Sequence, residues 1–120
     1  MVAVPEFSGT RAGHVQQARL LLGDVHPAEV GAAVTTALCG HWGHDGPCRW
    51  PHHNAIDADD GWADFRTVFV CPADEEPEVR SLVSAALTGD DRWTLLGASG
   101  RDLTEQEQAL AERLAATPRP

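Results

Sequence analysis

Hydrophobic positions along the chain switch between a period of two and a period near 3.6, and the switches divide it into a short series of elements. Val15 to Leu22 reads as a first strand, closed by the turn pair Gly23-Asp24. Pro27 then sits where a first helical turn tolerates it. Val30, Val34, Ala37 and Leu38 recur at helical spacing, and Gly40 is placed as a left-handed stop. Asn54-Ala55-Ile56-Asp57 reads as a short strand, Asp59-Asp60-Gly61 as a tight turn and Trp62 to Cys71 as a long strand. Phe65, Thr67, Phe69 and Cys71 share one face of that strand and Val68 and Val70 the other, which predicts a central strand covered on both sides. A second helix begins near Pro77, carries the stripe Val79, Leu82, Val83, Ala86 and Leu87, and stops at Gly89. Arg92 to Leu96 reads as a fourth strand. Thr104 and Glu107 form a capping box for a last helix carrying Leu110 and Leu114, with Pro118 as its stop.

The order is β-α-loop-β-β-α-β-α. It predicts an α+β domain with a split βαβ (ferredoxin-like) sheet, an added C-terminal helix and a long His/Cys-rich loop between the first helix and the second strand. Residues 1–13 have no period and are expected to be a flexible lead-in, leaving 14–117 as a single domain. A chain of 120 residues can build its own core. In this topology the end of the third strand, the loop after the first helix, His14 and the Ser99-Gly100-Arg101 segment are expected at one edge of the sheet. Cys71 would then approach Cys39 and Cys48.

Charge and composition narrow the class. Net charge is -9, and the nine Lys and Arg residues nowhere form a patch, so nucleic acid is not an expected partner. No apolar run approaches a membrane span, and the first residues lack the basic start of a secretory signal. A cytoplasmic protein with reduced cysteines is the expectation, and a Cys39–Cys48 disulfide is the sterically conceivable alternative.

The chemistry concentrates in Cys39-Gly40-His41-Trp42-Gly43-His44-Asp45-Gly46-Pro47-Cys48-Arg49-Trp50-Pro51-His52-His53, which holds four of the six histidines and two of the three cysteines. A Gly- and Pro-rich stretch without an apolar face belongs to no helix or strand, but its soft ligands suit a transition metal. Zinc is favoured because sulfur and nitrogen donors are mixed, with copper, nickel and iron as the other ions such a set accepts. The candidate ligands are Cys39, His41, His44, Cys48, His52, His53 and the distant Cys71. Three cysteines with one histidine would close a structural site, whereas Cys39, Cys48 and His41 or His44 would leave a position open. His52 and His53 are adjacent, so on an extended backbone they point to opposite sides.

Three functions follow from one loop. The first is a metal-pinned surface presenting Trp42, Arg49 and Trp50 to a protein or small-molecule partner. The second is a metal-dependent hydrolase or lyase in which Asp45 serves a metal-activated water. The third is metal delivery or sensing. The plain alternative is a polar-aromatic plug capping the core. Asp57-Ala58-Asp59-Asp60-Gly61 is spaced wrongly for a calcium loop and reads as a hairpin turn. Gly97-Ala98-Ser99-Gly100 reads as a turn that offers an anion at most a weak backbone site. His14 and His26 read as surface or capping residues, and Glu75-Glu76 as complements to a helix dipole. No nucleophile signature, P-loop or dinucleotide fingerprint is present.

Overall fold

A computed structural model describes residues 12–39 and 50–116. Within it Asp60 and Gly61 reverse the chain with positive φ angles of 56° and 87°, forming the two-residue turn expected from an Asp-Gly pair. The turn joins β2 (His52–Asp59) to β3 (Trp62–Cys71), with Asp59 opposite Trp62. The other elements are β1 (Ala12–Leu21), α1 (Ala28–Cys39), α2 (Glu76–Thr88), β4 (Thr94–Arg101) and α3 (Glu105–Ala115). The strands form one sheet in the order β2-β3-β1-β4. Every neighbouring pair is antiparallel, so β1 and β2 run the same way with β3 between them. The result is an α+β domain with a four-stranded antiparallel sheet and three helices.

The central strand behaves as its pattern requires. Phe65, Phe69 and Cys71 of β3 pack with Ala18 and Leu20 of β1 under α1 and α2, which contribute Val30, Val34, Leu38, Val79, Val83 and Leu87. Full burial of each large side chain here contributes about 2 kcal/mol. Val68 and Val70 emerge on the opposite face, where Val15 and Ala111 join them and Leu103, Leu110 and Leu114 close the cover. Gly13 belongs to β1 rather than to a flexible lead-in, for a packing reason. A Cβ there would lie 2.6 Å from the Cβ of Ala111, so only glycine lets α3 approach the sheet. Residues 1–11 of the expected lead-in, and Pro118, lie outside the described residues.

Arg66 fixes α3 to the sheet. Its Nε and Nη2 donate to the two carboxylate oxygens of Glu107 at 2.8 and 2.7 Å, and its Nη1 donates to Gln17. Glu107 also completes the capping box by accepting from the Thr104 amide while its own amide donates to Thr104. The paired guanidinium holds the Glu107 carboxyl down at about 2.

Two strands are longer than their apolar pattern. The second begins at His52 rather than Asn54, and the fourth runs to Arg101 rather than stopping at Leu96. Both are edge strands, and an edge strand needs less apolar patterning than a buried central one. Gly97-Ala98-Ser99-Gly100 is therefore paired strand, not a turn, and offers no anion cradle. Gly89 ends α2 as expected, but at φ -83° rather than in the left-handed region. Glycine is required there because a Cβ would meet the Ala85 carbonyl oxygen at 2.8 Å.

Candidate functional site

Residues 40–49, including His41, Trp42, His44, Asp45, Cys48 and Arg49, lie outside the described residues, so the site is built from what stands on either side of them. On the near side α1 ends at Cys39, which is disulfide-bonded. On the far side Trp50 is 4% exposed, and its indole Nε1 donates to Glu75 at 2.8 Å. The Val70 amide donates to the carbonyl of Pro51, tying the same stretch to β3. Trp50 therefore anchors the core edge.

His52 and Thr35 join the two sides. The Nδ1 of His52 lies 3.0 Å from the carbonyl oxygen of Trp50, which can only accept. Nδ1 thus carries the hydrogen, and in the neutral ring Nε2 is the acceptor for the Thr35 hydroxyl at 2.9 Å. Asn54 completes the chain by donating from Nδ2 to Thr35 Oγ1 at 3.0 Å and to the Gly31 carbonyl at 3.1 Å. Both ring nitrogens of His52 are engaged, so metal ligation by His52 requires this clamp to open.

The remaining expected ligands do not gather at the same place. His53 is exposed, pairs with Val68 in register and lines a groove with Arg66, Leu110 and Arg113 on the α3 side of the sheet. The alternation of the two histidines across the strand is the one their adjacency predicts. Cys71 is a free, fully buried thiol, pushed up to about 11 by burial and then by Glu76 and Glu75. Metal ligation requires the thiolate, which this environment disfavours. Among the described residues no three His, Cys, Asp or Glu side chains converge in a metal-binding group.

A second polar cluster was not singled out in the sequence. Arg80 of α2 donates from Nε to Glu76 at 2.7 Å, and from Nη1 to the Val15 carbonyl and to Gln16 Oε1. Its guanidinium also lies over the Phe69 ring, 5.4 Å from the centroid, and against Gly100. His14 stands beside it with Nδ1 3.6 Å from Glu76, and the His14 Nε2 is buried without a hydrogen-bond partner among the described residues. Burial lowers the pKa of His14, opposed by Glu76 and assisted by Arg80. Hydrogen bonding to Arg80 lowers that of Glu76. His14 is thus no ordinary surface residue, whereas His26 caps α1 by accepting from the Ala28 amide at Nδ1. The i,i+4 pair Glu76–Arg80 was the available sequence signal.

His14 and Cys71 do lie at one end of the sheet, since Ala12 pairs with Cys71 and Val15 with Arg101. Leu38 and Trp50 share a core cluster with Cys71. No family model, no curated protein and no solved structure matches the chain.

Proposed function

We propose that the protein is a small metal-binding module whose 39–53 segment forms a zinc-pinned recognition surface for a partner or small ligand. The ligand set we assign is Cys39, His41, His44 and Cys48, and the surface it presents is Trp42 with Arg49. The observation that supports this reading is the Thr35–His52 hydrogen bond. It fixes both feet of the loop, one turn before Cys39 and just after Trp50. A ten-residue stretch rich in Gly and Pro has little apolar surface for a core of its own, and in the reduced chain, where Cys39 is not in its disulfide, an ion supplies the cross-link. The described donors do not fit an enlarged site, because His52 is fully engaged, His53 faces away and Cys71 is a buried neutral thiol.

The disulfide at Cys39 favours a second reading, in which the same loop is closed covalently and recognises its partner without metal. A disulfide sulfur is not a thiolate ligand, so the two forms exclude each other at Cys39. The zinc form belongs to the reduced, cytoplasmic protein and the closed form to an oxidising setting. We further infer a split βαβ, ferredoxin-like arrangement, supported by β3 lying between the like-directed β1 and β2.

The test is native mass spectrometry with elemental analysis on reduced and oxidised protein, for wild type and Cys48→Ser. One zinc per chain in the reduced wild type, lost on oxidation and in the variant, is the expected result. Reduced wild type that takes up no zinc overturns the first reading and leaves the covalently closed loop.

A further inference from the structure

On the β4 side of the sheet, across from the β2 edge, the described residues border a cavity. β4 ends at Arg101, opposite Val15, so residues 12–14 of β1 run on past it. Beside them lies a cavity of about 450 Å3 whose walls include His14, Arg80, Arg101, Leu103 and Asp102. We propose that this cavity binds a small organic monocarboxylate, with its carboxylate on Arg101 and the Nη2 of Arg80 and its carbon body against Leu103.

Unused donors carry the argument. Arg101 hydrogen-bonds only through Nε, to Gln17 at 3.0 Å, and makes no ion pair among the described residues. Arg80 spends Nε and Nη1 on Glu76, Val15 and Gln16, while Nη2 has no hydrogen-bond partner among the described residues. Guanidinium groups present donors in a planar fork that matches a carboxylate. Arg80 is also held in place, because the bare backbone of Gly100 lets its guanidinium rest there. An added Cβ would stand 3.3 Å from Nη1.

Charge selects the ligand class. The charge of Arg80 is already offset by Glu76, so Arg101 supplies the positive charge left for a ligand. Asp102 on the wall and Glu76 behind Arg80 both oppose a dianion. His14 borders the cavity without adding charge at neutral pH, since its burial disfavours the imidazolium. A single carboxylate satisfies the free donors, whereas a phosphate dianion brings a second charge against two carboxylates.

The experiment is an NMR titration of the full chain with sodium lactate and, separately, inorganic phosphate. Lactate should give saturable shifts at residues 13, 14 and 101–103. Arg101→Gln should weaken lactate binding about tenfold or more, and Asp102→Asn should tighten it. Arg101 makes one side-chain hydrogen bond, so its variant is expected to fold, and Asp102→Asn is an independent arm that reads in the opposite direction. The absence of saturable lactate shifts, shifts that survive Arg101→Gln, or phosphate binding more tightly than lactate would each overturn the proposal.

Discussion

Thr35 and His52 stand 17 residues apart in sequence and 2.9 Å apart in space, with the hydroxyl of one on the ring nitrogen of the other. The bond ties the last turns of α1 to the start of an edge strand. Asn54 relies on the same hydroxyl, which accepts from its Nδ2.

Thr35→Val keeps the shape of the side chain and removes both bonds, the one to His52 Nε2 and the one that accepts an Asn54 proton. A buried polar group left unsatisfied costs about 1–3 kcal/mol. Urea denaturation should report a loss of that size, and amide exchange should accelerate at residues 50–54 more than in α2. Unchanged exchange at the foot of β2 would show that the clamp does not hold the loop.

The Arg66–Glu107 pair sets an acid limit. Glu107 titrates at about 2 in the folded chain against 4.5 for the unperturbed side chain, so the unfolded state binds the proton first. Its contribution is present above about pH 4.5 and is lost as pH falls toward 2. Glu107→Gln should therefore be less stable than wild type at pH 6 by about 1–3 kcal/mol, with the gap narrowing as pH falls toward 2. A gap that stays constant with pH would assign the loss to the helix cap instead of the ion pair.

Cys71 should be inert. With no solvent exposure and a thiol pushed up to about 11, it has little thiolate at pH 8. Iodoacetamide on native protein should leave Cys71 unmodified, with labelling appearing only in denaturant, as peptide mapping would report. Rapid native labelling would place Cys71 nearer the surface and return it to the set of possible ligands.

Much of the fold was legible because its core elements bury apolar residues at regular spacing. The faces of β3, the Asp60-Gly61 turn, the α2 stripe and the Thr104–Glu107 cap all follow from that spacing or from turn and cap chemistry. The edge strands were under-read because His52, His53 and Gly97 to Gly100 carry no apolar alternation, and partnership with β3 or β1 holds them extended. The candidate site was legible only as composition. Thr35 sits one helical turn from Gly31 on a row of small residues, a pattern that marks close packing but does not name His52 as the partner. Arg80 lies off the apolar stripe of α2, and nothing in the sequence pairs it with Gly100, whose bare backbone gives its side chain somewhere to lie.

The hairpin turn at Asp60 and Gly61 has an effect at the far end of the strand it begins. Because the turn contains two residues, Asp59 faces Trp62, and counting back along β2 places His52 beside Phe69 under α1 and His53 beside Val68 on the other side. Shifting the register by one residue would exchange the two imidazoles, delivering His53 toward Thr35 and sending His52 out toward α3. The turn therefore works as a phase-setter, and the identity of the histidine that reaches Thr35 is decided nine residues away, at a glycine.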